Sequence, residues 1–153
     1  MASVFDVATY IIEQLGEMTA MKLQKLVYYS QAWSLVWDEE ILFDSPIEAW
    51  VNGPVIRELY EAHKGIFKVN QGIFVNGSAS NLTPLQKETI DGVLDFYGDK
   101  KSQWLSDLTH LEEPWKKARE EAGIKEGERG NAIIKIADMH EYYSGLSVTK
   151  SSV

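Results

Sequence analysis

The sequence predicts a mainly α-helical (α+β) fold, one domain over residues 1–153 around a central buried helix at about 19–37, with a small antiparallel β element. Three observations point there. The segment TAMKLQKLVYYSQAWSLVW, residues 19–37, contains no Gly or Pro, and its apolar and aromatic side chains reach every side of a helix instead of one stripe. The segments around it carry apolar residues at three-and-four spacing, bounded by helix start and stop residues. Strand-like patterning is confined to short runs near residues 47–51 and 66–82.

Taken in order, Val4, Val7, Ala8, Ile11, Ile12 and Leu15 line one face of a first helix, with Ser3 as N-cap and Gly16 as stop. Thr19 caps the central helix. Because that helix is apolar on all sides, Lys25, Gln31 and Ser34 are forced close to the core, and each needs a hydrogen-bond partner or an escape to the rim. Ile47 to Val51 reads as a short strand, Asn52-Gly53 as a turn, and Pro54 as the start of a helix ending near Gly65. Residues 66–82 predict a hairpin across Asn70-Gln71-Gly72, followed by a loop of small residues. Thr83, Pro84 and Gln86 form a capping box with proline in the first turn, so a helix runs from there to Tyr97, with Gly98 ending it. The stretch DKKSQWLSDL, residues 99–108, reads as a short helix, followed by a charged one ending at Gly123, a polar loop at 124–131, an extended piece, and a helix over Asp138 to Tyr143. Residues 146–153 read as a frayed tail.

Composition excludes several classes of function. With no cysteine, the chain has no thiolate nucleophile, disulfide framework or Cys-ligated metal centre. A net charge of −8 opposes binding that depends on neutralising phosphates, so nucleic acid is not the expected partner, and it suits basic or apolar protein surfaces. The first seventeen residues lack a basic n-region, and Asp6, Glu13 and Gln14 interrupt their apolar run. The expectation is therefore a cytoplasmic protein without a membrane segment.

The stretch LSDLTHLEEPW, residues 105–115, concentrates Asp107, His110, Glu112 and Glu113 in a chain with only three histidines. One reading is a metal-dependent hydrolase or nuclease using His110, the nearby carboxylates and His140, although the stretch has no second His at i+4 and the chain no calcium-loop pattern. The other reading is local: Thr109 and Glu112 form a T-x-x-E capping box, Glu113 favours the positive helix end, Pro114 fits a first turn and Trp115 turns inward. His110 would then dock on a backbone carbonyl or the central helix. Serine-hydrolase, P-loop and dinucleotide motifs are absent, so no catalytic residue, metal or cofactor is assigned. Trp33 and Trp37, four apart, suit packing, whereas Trp50, Tyr60, Tyr142 and Tyr143 are candidate surface aromatics for contact with a partner.

Three segments in order, KLQKLVYYSQAW (22–33), EAWVNGPV (48–55) and LSDLTHLEEPW (105–115), with an Ile-containing piece before MHEYY, resemble the Panacea antitoxin domain, also described as the phage-associated GepA-like domain. The resemblance spans about residues 5–144. Its central-helix pattern falls on Lys25, Leu26, Tyr28 and Gln31, its turn on Gly53, Pro54 and Val55, and its third motif on Ser106, His110, Pro114 and Trp115. It implies a mainly helical domain with a small antiparallel sheet. It also implies an antitoxin without enzymatic activity, neutralising by direct contact a cognate protein toxin encoded by the adjacent gene. Toxins met by the family include alarmone-synthetase-like enzymes, and one member instead acts as an adaptor delivering its partner to a protease. Because such a family meets chemically varied toxins, its recognisable residues are expected to be scaffold as much as contact.

Overall fold

The computed structural model describes residues 2–146. Among them are seven α-helices, one 3-10 turn and five short strands. Helix α1 (Val4–Leu15) opens on Ser3, whose hydroxyl accepts from the Asp6 amide while the Asp6 carboxylate accepts from the Ser3 amide. Strand β1 (Met18–Thr19) leads into α2 (Ala20–Trp37), where the Thr19 hydroxyl accepts from Lys22 N at 3.1 Å.

Every residue of α2 from Leu23 to Leu35 is buried. Its polar side chains are bonded as burial requires. Gln31 clamps the chain beyond the helix, donating to Phe43 O at 2.7 Å and accepting from Leu42 N at 2.6 Å. Ser34 donates to Glu40 O at 2.8 Å, and Lys25 to Pro54 O at 3.2 Å.

The next elements are β2 (Ile47–Trp50), β3 (Gly53–Ile56) and α3 (Arg57–His63). Here the structure corrects the sequence expectation. Pro54 does not open a helix but lies in β3 opposite Ala49. The sheet order β3-β2-β5 puts β3 at an edge, where a residue without an N–H is tolerated. The hairpin expected at residues 66–82 is also replaced. Strand β4 (Lys68–Val69) pairs antiparallel with β1, Met18 facing Val69, and no strand follows it before α4. The physical reason is burial: Val69 and Phe74, on either side of the 70–72 turn, both face the core, and Phe74 meets Phe5 of α1 at 5.9 Å between ring centroids.

After the 3-10 turn (Ala79–Asn81), α4 (Pro84–Tyr97) begins at the expected Thr83–Gln86 capping box. Helices α5 (Ser102–Leu111) and α6 (Glu113–Glu121) meet at a sharp corner at Glu112, and β5 (Ala132–Ile133) joins β2 before α7 (Ile136–Ser144) closes the fold. Of the expected tail, residues 147–153 lie outside the described residues. Helix α2 packs against α1, α4, α5, α7 and β3, which is why it had to be apolar all round.

Candidate functional site

The residues singled out in the sequence converge on the β2–β3 turn. Four consecutive carbonyls there are each held by a side chain from α5 or α6. Arg119 donates to Ala49 O at 3.0 Å, Trp115 Nε1 to Trp50 O at 2.7 Å, and Ser106 Oγ to Asn52 O at 2.6 Å, while His110 Nε2 lies 2.8 Å from Val51 O. The spacing explains the residue types. Ser106 and His110 are one helical turn apart on α5, Trp115 and Arg119 one turn apart on α6, so two helix faces present four polar groups to one extended segment. A turn whose own carbonyls lack ladder partners is otherwise left unsatisfied when buried.

His110 thus docks on a carbonyl, as expected, and its Nδ1 also lies 2.5 Å from Ser106 O. The T-x-x-E capping box is corrected. Thr109 sits inside α5, its hydroxyl donating to Ser106 O at 2.7 Å, and Glu112 caps no amide with its side chain. Pro114 does lie in the first turn of α6, and the Trp115 ring rests 4.1 Å from that of His110. With both His110 nitrogens against carbonyls and Glu112 turned toward tyrosines, the two residues do not face a common ion. Among the described residues no three His, Asp or Glu side chains cluster closely enough to hold one.

On the other side of the turn, Lys25 is fully buried and forms no ion pair among the described residues. Burial brings its amine down to about 7. Gly53 makes this approach possible: with φ at 122°, a Cβ on it would lie 2.6 Å from Lys25 Cε and 3.0 Å from Thr109 Oγ1. Gln24, which sequence reasoning passed over, mimics a neighbouring strand. It accepts from Ile56 N at 2.8 Å, donates to Ile56 O at 3.2 Å, and offers its second proton to His63 Nε2 at 3.0 Å.

Among the cavities that open to the surface are two with aromatic side chains in their walls. One, of about 440 Å³, lies beside the turn and is lined by Gln24, Lys25, Trp50, Tyr60, His63 and Phe67 among others. Trp50 and Tyr60 meet edge-on at 4.8 Å, and both are half-buried. The second, of about 510 Å³, has aromatic walls from Trp33, Trp37, Phe96, Tyr97 and Trp104, with Asp95 and Glu112 among its lining. Phe96 and Trp104 are about half exposed.

Glu112 belongs to a buried network. Tyr29 and Tyr143 both donate to its Oε1, at 2.7 and 2.8 Å, and Tyr28 donates to Tyr143 at 3.0 Å. Burial raises the Glu112 carboxyl above its usual range, against the opposing pull of the two phenols. Tyr143, expected at the surface, is therefore corrected to a core residue: it is wholly enclosed, since its hydroxyl serves this carboxylate. Tyr142 stays half-buried at the edge of a smaller hollow beside Pro114 and Lys117.

Fold and site together define a mainly helical domain in which a hairpin is strapped to a helical corner and two accessible hollows carry aromatic rings in their walls. The chain belongs to the SocA-like antitoxin family, Panacea domain, whose family model matches residues 23–116. That span runs from Leu23 on α2 to Lys116 on α6 and includes the second and third motifs whole, except that the first enters it from its second residue on. Neither the curated proteins nor the solved structures contain a match to this chain.

Proposed function

We propose that this chain is a non-enzymatic antitoxin that neutralises a cognate protein toxin, the product of the adjacent gene, by direct protein–protein contact in the cytoplasm. The observation that carries the reading is the family match over residues 23–116. Two features of the chain support it. Aromatic side chains that are half-buried at cavity mouths, such as Trp50, Tyr60 and Trp104, are the residue types that anchor protein interfaces. A net charge of −8 speeds association with a basic partner.

The test is co-expression. The adjacent open reading frame is induced alone and together with this chain, and the two products are co-purified. Toxicity relieved by co-expression, with a stable complex, is the expected result. A harmless neighbour, or rescue without any complex, removes the reading. Rescue accompanied by loss of the toxin from the cell, restored when proteases are inactivated, would assign delivery to a protease instead of occlusion.

A further inference from the structure

We infer that the cavity between α2, α4 and α5 is a receptor for an arginine side chain of the partner protein, its guanidinium stacked on the aromatic walls and hydrogen-bonded to Glu112 Oε2. This deepens the proposed function and rests on the reading that the partner is a protein.

The walls come first. Trp33, Trp37, Phe96, Tyr97 and Trp104 line about 510 Å³, ample room for one long side chain. Aromatic faces attract cations through their quadrupole, and a guanidinium also stacks on them as a plane. This chain already uses one of these rings so: Lys100 Nζ lies 5.1 Å from the centroid of Trp104.

The polar end comes second. Glu112 is only 5 % exposed, a burial that a carboxylate tolerates only when its oxygens are bonded. Both phenols converge on Oε1, and among the described residues Oε2 makes no hydrogen bond. Among the same residues no fully enclosed side-chain oxygen lacks a partner, so Oε2 reaches open space, and Glu112 lines this cavity. A buried acceptor aimed into an aromatic cage, with the exposed carboxylate of Asp95 at the same cavity, selects a cation over a neutral side chain. Arginine fits better than lysine because its weakly hydrated fork bonds an acceptor and stacks at once.

The probe is Nα-acetyl-arginine amide, titrated into the full chain while the indole N–H resonances of Trp33, Trp37 and Trp104 are followed by NMR. Saturable shifts in the millimolar range are expected, with the neutral isostere Nα-acetyl-citrulline amide weaker by about tenfold. Glu112→Gln, which keeps an acceptor for the two phenols, should remove that preference. Trp104→Ala, at an exposed position, should weaken arginine binding even if the Glu112 variant folds poorly. Equal response to arginine and citrulline, or none, overturns the proposal. The titration needs no toxin, so its failure leaves the co-expression result standing. Failure of co-expression with a positive titration would instead remove the proposed function while keeping the cation site.

Discussion

Replacing Lys25 by Met should stabilise the protein at neutral pH, by an amount that shrinks as pH rises. The folded amine is held at about 7, against the ordinary value near 10.4 that the unfolded chain restores. The unfolded state therefore binds more protons throughout that interval, and stability must rise with pH across it, by up to ~1.4 kcal/mol per unit for one proton. Integrated over the interval, the penalty is roughly 4 kcal/mol at pH 7 and roughly 2 kcal/mol at pH 9. Methionine has a similar length, removes the penalty, and leaves Pro54 O without its 3.2 Å donor, a loss of about 1–3 kcal/mol. The net expectation is a variant more stable by about 2 kcal/mol at pH 7 and nearly equal to wild type at pH 9. Chemical denaturation of both proteins at several pH values between 6 and 9 provides the assay. Burial lowers His63 too, so the informative quantity is the difference between the two proteins at each pH. A difference that does not change with pH, or a variant less stable throughout, would refute the account of Lys25 as an uncompensated buried amine.

Other outcomes follow from the same geometry. Gly53→Ala combines a φ of 122° with a Cβ 2.6 Å from Lys25 Cε, so it should cost about 2–4 kcal/mol, seen as a fall in Tm by differential scanning fluorimetry. His110→Ala removes side-chain contacts to Val51 O and Ser106 O and should cost about 2 kcal/mol, with neutralisation falling only as the folded fraction falls; an unchanged Tm with complete loss of neutralisation would point to direct contact. Arg119→Met frees Ala49 O and the carbonyls of Lys125 and Glu128, so hydrogen exchange should accelerate across residues 125–133 before anywhere in α2. Glu112 has the opposite sign to Lys25. The unfolded carboxyl loses its proton near 4.3 while the folded one retains it, so stability falls as pH rises from there to the raised folded value, and Glu112→Gln should flatten that decline in acid denaturation curves.

The helices were legible because their signals are local. Ser3, Thr19 and the Thr83–Gln86 box each bond amides three residues on, and Gly16 and Gly98 end helices where a stop was expected. The buried state of α2 was legible too, from an apolar pattern with no polar stripe. What failed was long-range. Pro54 looks identical at a helix start and in an edge strand, and only the β3-β2-β5 order decides between them. Thr109 and Glu112 have capping-box spacing, yet Thr109 lies inside α5, the α5–α6 corner falls at Glu112, and tyrosines from α2 and α7 claim the carboxylate. Nothing in LSDLTHLEEPW announces that claim. Arg119 was missed for the same reason, since its acceptors lie on β2 and in the loop after α6.

This division bears on how a family domain can meet different partners. The motif residues spend their polar atoms inward: Lys25 on Pro54, Gln31 on Phe43, and Ser106, His110 and Trp115 on successive carbonyls of the turn. Apart from Lys25, whose removal also lifts the cost of a buried amine, replacing any of them leaves a buried partner unsatisfied, so the fold suffers first and contact only through it. The cavity mouths behave differently. Tyr60 and Trp104 make no side-chain hydrogen bond among the described residues, and their rings are partly solvated, so exchanging them costs the fold little. Between the two sets stands Glu112, anchored by Tyr29 and Tyr143 on one oxygen and open to the cavity on the other. A partner cation at Oε2 would favour the ionised carboxylate that burial disfavours, so occupation of the cavity would tighten the links from α2 and α7 to the α5–α6 corner. Under that proposal the buried carboxylate of Glu112 would be the point where partner binding and fold stability are coupled.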